Sequence, residues 1–267
     1  LPQVRQPMRS YQAQRLSTSR ASAEDSRSSH PTVRTLHYAD PMCGRFAQTT
    51  SSEDLVRLFN LIMGVSAPTR FNLAPTQQVL TVRSSPSGRI PHAMRWGLVP
   101  PWAPNLKRGA SMINARSESV FEKRSFSHPI RHQRCVIPAS GFYEWRETPA
   151  GKMPTLFRPT SEQIFRFAGL WSTWAQDDGE VVYTTTILTT EANMVMRPFH
   201  HRMPVILTRE DTDIWLNSAE TRAELLEPLL KAAPSDSVAL EPVSRRVNNV
   251  RNDDARCWQP PNIEHEC

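Results

Sequence analysis

The sequence predicts an α+β fold: a mainly antiparallel sheet with flanking helices. Short β-rich runs at 135–137, 142–145, 165–171, 181–190 and 204–207 fill the middle of the chain, whereas helix-capping patterns stand early and late. No internal repeat and no coiled-coil heptad competes with that reading. With 267 residues, 39% apolar and 22% charged, the chain can bury a real core, as one large domain or two small ones. No apolar run approaches the roughly 18 residues that a membrane-spanning helix needs.

The first 41 residues stand apart. They hold seven Ser, six Arg, no Lys and three acids (Glu24, Asp25, Asp40), with no helical or alternating apolar pattern. Such a segment cannot offset its ordering entropy by burial, so 1–41 is expected to be a disordered extension. It reads either as a stretch upstream of a true start at Met42 or, being Arg-rich, Ser-rich and acid-poor, as an organelle-targeting leader.

A globular domain is expected over 42–261, followed by a short tail, 262–267. Ser51-Ser52-Glu53-Asp54 forms a capping box, and Leu55, Leu58, Phe59 and Ile62 follow at helical spacing. Residues 79–82 read as a strand, ended by the turn-rich Ser84-Ser85-Pro86-Ser87-Gly88. Thr208-Arg209-Glu210-Asp211 caps a helix through Trp215. Thr221-Arg222-Ala223-Glu224 opens another towards Leu230, with Pro228 as a kink or break. Proline (23) outnumbers glycine (9), so many turns are expected to be proline-set.

Charge and cysteines narrow the function. The net charge of +6 permits a polyanionic partner without proving one. Cys43, Cys135, Cys257 and Cys267 are too few and too scattered for a disulfide scaffold, and no CxxC pair suggests zinc. Reduced thiols, an intracellular setting and no metal or other cofactor are therefore expected.

Five clusters could carry chemistry. In Met42-Cys43-Gly44-Arg45-Phe46, removal of the methionine would leave an N-terminal cysteine. Its amine (pKa about 7.7–8.0) and thiol (about 8.5) are both partly deprotonated near neutral pH. The amine can take an aldehyde as a Schiff base, and the thiol can then close a five-membered thiazolidine; otherwise Cys43 is an ordinary buried cysteine. Arg95-Trp96-Gly97-Leu98-Val99-Pro100-Pro101-Trp102 interleaves aromatic and basic groups, which suits stacking on unpaired bases or a Trp/Pro core corner. In Ile113-Asn114-Ala115-Arg116-Ser117-Glu118, Asn114 can orient a carbonyl or an amine, or cap a helix. Arg116 can hold a phosphate, or lie on a solvated face with Glu118. Glu144, within Phe142-Tyr143-Glu144-Trp145, either loses hydration among the rings and becomes a general acid/base or pairs with an arginine. His200-His201-Arg202 offers a base or a phosphate contact; ligand spacing for a metal is missing.

Together these blocks resemble the SRAP family of abasic-site processing proteins, also called SOS response-associated peptidases. The matching text is Met-Cys-Gly-Arg-Phe (42–46), Phe-Asn-Leu-Ala-Pro-Thr (71–76), Met-Arg-Trp-Gly-Leu-Val-Pro-Pro-Trp (94–102), Ile-Asn-Ala-Arg-Ser-Glu (113–118), the run 134–145, Thr-Thr-Glu-Ala-Asn (189–193) and His-His-Arg-Met-Pro (200–204), in family order. The resemblance implies a barrel-like β core with a basic cleft. It implies an abasic-site sensor in single-stranded DNA whose N-terminal cysteine crosslinks to the ring-opened sugar as a thiazolidine; crosslinking one lesion requires only a monomer, which is the expected state. By match, Cys43 is the nucleophile, Asn114 orients the amine or sugar, Glu144 moves protons and His200 is the catalytic histidine. Arg45, Arg116 and Arg202 would contact phosphates; Pro75, Trp96 and Trp102 would shape the strand's path. The chemistry needs a free amine on Cys43. Translation from Met42, removal of a leader, or self-cleavage before Cys43 would each supply it. A thiol peptidase using the same Cys43 and His200, and a non-catalytic single-strand binding module, are the competing readings.

Overall fold

The structure is a computed structural model that describes residues 44–149 and 151–261. The extension 1–41, Met42, Cys43 and the tail 262–267 lie outside the described residues.

Two sheets carry the fold. In the first, β1 (Phe46–Gln48), β2 (Arg70–Leu73), β7 (Gly141–Thr148), β8 (Gly151–Pro159) and β12 (Val238–Pro242) pair in the order β12-β8-β7-β1-β2, all antiparallel. In the second, β3 (Gln78–Ser85), β4 (Gly88–Trp96), β10 (Val181–Glu191), β9 (Phe165–Ala175) and β6 (Arg134–Ala139) form a closed ring, β6 returning to β3 through Val82 and Val136. Two short strands, β5 (Asn114–Arg116) and β11 (Arg202–Pro204), pair with the last residues of β10. Pairing is antiparallel except where β10 runs parallel to β4 and β5. This is the α+β, mainly antiparallel, barrel-like core that the sequence predicts.

The helices follow their caps. In α1 (Ser52–Phe59), the Ser51 hydroxyl accepts the Asp54 N–H at 3.1 Å, and Leu55 and Phe59 face the core. Asn60 then turns left-handed (φ 51°) and ends the helix. Ile62 is consequently 52% exposed rather than on the buried face, and Leu61 takes the inner position. In α3 (Arg209–Trp215), Thr208 caps the Asp211 N–H as expected. The cap of α4 (Ala223–Leu226) is Arg222, not Thr221, because the Glu220 carboxylate takes both the Arg222 N–H and its guanidinium. At Pro228 the chain tightens into a 3₁₀ turn. A fourth short helix, α2 (Pro129–His132), was not expected. The run 204–207 is only partly strand: β11 ends at Pro204, and Ile206 makes an isolated bridge to Phe167. No helix among the described residues is long and apolar enough to cross a membrane.

One buried cation ties the helical flank to the barrel. Arg134, 6% exposed at the start of β6, donates to the carbonyls of Trp215, Ile130, Arg131, Asn217 and Glu220 at 2.6–2.9 Å. Its guanidinium lies 5.7 Å from the Trp215 ring, whose N–H donates to the Cys135 carbonyl. Burial lowers its pKa to about 10, still well above neutrality. Arg134→Lys supplies three donors for five carbonyls, so we expect a loss of about 2–4 kcal/mol. Urea unfolding reads this as a lower midpoint with unchanged slope; a loss below about 1 kcal/mol would refute the role given to Arg134.

Candidate functional site

The site is built around the start of β1. Arg45 Nη1 donates to Asn72 Oδ1 (2.9 Å) and the Val247 carbonyl (2.7 Å), and Nη2 to the Asn248 carbonyl (3.3 Å). Asn72 is fully buried, and its Nδ2 donates to the carbonyls of Val247, Asn249 and Asn252 at 2.7–3.1 Å. The Asp253 carboxylate accepts the N–H groups of Phe71 and Asn72 and the Arg70 guanidinium. The segment 247–253 is thereby fastened to β2. On the other side of β1, the Tyr143 N–H donates to the Arg45 carbonyl at 3.0 Å. That pairing brings Gly44 level with Glu144 on β7.

Glu144 is 8% exposed and shares a face of β7 with Phe142, opposite Thr155 of β8. Its neighbour Trp145 is half-buried, donates Nε1–H to Asn248 Oδ1 at 2.7 Å and lies 5.8 Å below the Arg45 guanidinium.

The remaining groups gather at the end of β10. Asn114 opens β5 opposite Ile187, and Arg116, exposed, stands opposite Thr189. His200 is 7% exposed and stacks on His201 at 4.4 Å. Its Nδ1 accepts the Arg202 N–H at 2.9 Å. That donor fixes the neutral tautomer, so the proton sits on Nε2. Protonating Nδ1 would set two N–H donors against each other, so this contact favours neutral imidazole. The His201 pKa is lowered by partial desolvation and then by the positive Arg116 and Arg202. Arg116, Glu191, Ala192, Arg197, His201 and Arg202 line a cleft of about 450 Å³.

Aromatic packing connects these segments. Trp96 donates its N–H to the carbonyl of Ile113, the residue before Asn114, and meets Phe46 edge-on at 4.9 Å. Phe142 stacks on Phe157 at 5.0 Å, and Phe157 meets Phe199, the residue before His200, edge-on at 5.0 Å. Glu144 thus lies two positions from a ring of this cluster, His200 adjoins one, and Asn114 follows a residue whose carbonyl one of them holds.

Several predicted DNA contacts have other work. Trp96 is fully buried and has no free face for a base; its indole builds the barrel interior. Arg202 is 8% exposed and binds Glu118 bidentately (2.6 and 2.8 Å) and the Thr189 carbonyl. Partial desolvation raises the Glu118 pKa, but its bonds with Arg202 outweigh this and leave it lowered. Arg45 is likewise spent largely on protein carbonyls, and burial lowers its pKa. Trp102 is 49% exposed beneath Arg124, and Pro75 is half-buried in the turn after β2. Sequence reasoning missed Asn72, Trp145, Arg197 and the Glu118–Arg202 pair. Only Asn72 gave a signal, as a polar residue inside the apolar run Phe71-Asn72-Leu73.

Cys135 is fully buried against Thr185, and burial pushes its thiol up to about 12. Its folded pKa lies above the unfolded value of about 8.5, so its stabilising contribution is complete below pH 8.5 and is lost as pH rises towards 12. We expect Cys135→Ala to flatten the alkaline fall in stability, and the Cys135 thiol to resist disulfide reagents until urea unfolds the chain. Fast labelling of Cys135 in the folded protein would contradict this burial.

The chain is 41% identical over 216 residues to the abasic site processing protein YoqW of Bacillus subtilis (strain 168), covering 79% of this chain and 96% of that protein. It is 34% identical over 198 residues to the abasic site processing protein HMCES of Gallus gallus, covering 65% of this chain and 58% of that protein. A crystal structure of a protein from Bacteroides thetaiotaomicron superposes with a TM-score of 0.74 at 26% identity, over 82% of this chain and 99% of that one. The family described as SOS response associated peptidase (SRAP) matches residues 42–250, a span that holds Asn114, Glu144 and His200, and this chain belongs to it.

Proposed function

We propose that this protein processes abasic sites in single-stranded DNA by capturing the open-chain sugar aldehyde on Cys43. The observation that supports the reading is a buried carboxylate, Glu144, on β7, the strand that pairs with β1, with Asn114 and His200 on segments tied to the aromatic cluster that β1 joins. The similarity to YoqW and HMCES supports it. The chemistry belongs to the form of the chain in which Cys43 is the first residue, since a peptide bond there would remove the amine nucleophile.

The steps balance without a cofactor. In the closed sugar the C1′–O4′ bond breaks as Glu144 gives a proton to O4′, which leaves as a hydroxyl and accepts a hydrogen bond from His200 Nε2–H, and the Glu144 carboxylate then takes the C1′ hydroxyl proton. The Cys43 amine, oriented by Asn114, adds to C1′, and the resulting carbinolamine loses water with Glu144 returning the proton. The thiolate then attacks C1′, the nitrogen takes a proton, and the thiazolidine closes. The net reaction joins protein and DNA with loss of one water. Glu144 suits this shuttle because it is a buried carboxyl, 8% exposed, on the strand that pairs with β1.

The tautomer of His200 weighs against the thiol-peptidase reading. A cysteine–histidine pair needs an imidazole nitrogen free to take the thiol proton. Here Nδ1 is held by the Arg202 N–H, and Nε2 already bears its proton.

A chain beginning at Cys43, incubated with an abasic oligonucleotide, should gain the DNA mass less water, and Cys43→Ala should gain nothing. An undiminished adduct in Cys43→Ala would remove Cys43 from the mechanism. Glu144→Gln should slow adduct formation by about 10²–10⁴-fold while leaving binding to undamaged DNA intact.

A further inference from the structure

The helical turn that leads into β6 carries two groups that the lesion chemistry leaves unused. His128 and His132 stand at helical spacing, and the His132 N–H donates to the His128 carbonyl at 3.1 Å, an α-helical bond. Pro129 opens the helix at a position where no N–H is needed. Residues one turn apart share a helical face. Both histidines are exposed, while Pro129 and Ile130 between them are buried against the barrel. The two imidazole centres are 4.9 Å apart, with the ring planes tilted by 38°.

Two imidazoles one turn apart on one helical face can chelate a metal ion. An ion held by an imidazole nitrogen at about 2.0–2.1 Å sits about 3 Å from the ring centre, so two rings meeting it at about 100° stand about 5 Å apart. The observed spacing matches that figure without any movement of the backbone. Among the described residues neither ring makes a hydrogen bond or an ion pair, so their nitrogens are open to a ligand from solvent. The His132 pKa is lowered, first by partial desolvation and then by His128, Arg134 and Arg131, which keeps its lone pair free near neutral pH. The two neighbouring guanidiniums are turned elsewhere. Arg131 donates to the Thr221 carbonyl at 2.9 Å and lies 5.4 Å from the Phe121 ring centre, and Arg134 is enclosed by its five carbonyls. No third His, Cys, Asp or Glu joins the pair among the described residues, so water fills the other positions of a bound ion. The expectation of no metal rests on the cysteines and on His200-His201, and this pair lies outside both.

We propose that His128 and His132 form a two-imidazole site for a divalent copper, nickel or zinc ion. Magnesium and calcium are excluded by ligand chemistry, because both prefer oxygen donors. The role of the site is structural. Between its two ligands lie the Ile130 and Arg131 carbonyls, which accept Arg134 Nη1 at 2.9 and 2.7 Å. An ion held across His128 and His132 closes the turn that presents these carbonyls. Binding therefore stiffens the seat of Arg134 and, with it, the junction of α2 and β6. An ion that binds only when the two rings are brought together also stabilises the folded chain by mass action. The site uses none of Cys43, Asn114, Glu144 and His200, so it stands or falls independently of abasic-site capture.

The test follows thermal unfolding of the protein, stripped of metal with a chelator and then titrated with nickel ion alone. With nickel a hundredfold above its Kd, the folding equilibrium should shift about a hundredfold, which raises the midpoint of a domain of this size by about 5–10 °C. Other histidines and cysteines also take up nickel, so the readout is the part of the rise that the double variant His128→Gln/His132→Gln lacks. Each single variant should lose all of that part, because one chelate needs both rings. Magnesium should leave every midpoint unchanged. Without metal the variants should unfold within about 1 °C of the unmodified chain, since neither ring has a protein partner to lose. An equal rise in all four proteins, or single losses that merely add up to the double, would overturn the chelate. Hydrogen exchange of the segment 128–134 should slow at least tenfold with nickel in the unmodified chain alone, because the His132 and Gln133 amides bond to the His128 and Pro129 carbonyls inside the closed turn. Exchange that nickel leaves unchanged would overturn the structural role.

Discussion

The position of Gly44 depends on a clamp whose centre is one buried amide. Asn72 spends both ends of its side chain, three carbonyls on Nδ2 and Arg45 on Oδ1, so the segment 247–252 and the start of β1 cannot move independently. Asp253 closes the same seam from the other side. β2 pairs with β1 through Leu73 and Phe46, and β1 pairs with β7 through Phe46 and Phe142. Each step is backbone pairing, which is short and directional. The clamp therefore sets the height of Gly44 against Glu144 with little slack. Proximity catalysis needs that precision, because a displacement of about 1 Å can cost a hundredfold in rate.

A second constraint fixes the other half of the site. Asn114 and His200 lie on segments that meet the barrel only at their edges, one on β5 and one after β10. Short strands of this kind are weakly held by their own hydrogen bonds. Here the residue before each is locked into the aromatic cluster, Ile113 by the Trp96 N–H and Phe199 by the Phe157 ring. Buried aromatic pairs contribute about 0.5–1.5 kcal/mol beyond their area, and their edge-on geometry restricts rotation. The cluster thus converts core packing into the orientation of polar groups that stand just outside it. The bond from the Arg202 N–H to His200 completes this by selecting which ring nitrogen carries the proton.

Much of this was legible in the sequence where local chemistry decides structure. The caps at Ser51 and Thr208 and the β-rich runs of β6, β7, β9 and β10 follow from propensity and side-chain oxygens. The strands that escaped notice are those that local chemistry does not mark. β4 contains Pro91 and alternates poorly; the proline is tolerated because β4 meets β10 only at Arg95 and Trp96. β8 contains Pro154, just beyond the end of its pairing with β12 at Thr155. β1, β2, β5, β11 and β12 are three to five residues long, too short to show a period. At the site, residue types identified Asn114, Glu144 and His200 as candidates. They could not show that Trp96 faces inward, that Arg202 is held by Glu118, or that Asn72 is the centre of the clamp, because those depend on which chains lie opposite.

The same long-range information sorts the arginines, and that sorting says more than the net charge does. Arg134 is enclosed by five carbonyls, Arg166 is 3% exposed beside Glu162, Arg202 is paired with Glu118, and Arg45 is bonded into the clamp. These cations hold the protein together, and a polyanion cannot reach most of them. Lys107, Arg108, Arg116, Lys123 and Arg124 are exposed and make no ion pair among the described residues, and Arg124 lies over the Trp102 ring. Exposed charges act over a screening length of about 8–10 Å, so the field that a polyanion meets comes from exposed cations rather than from the buried ones. Composition gave both classes the same letter. Burial divides them into a scaffold insensitive to salt and a surface whose attraction salt removes.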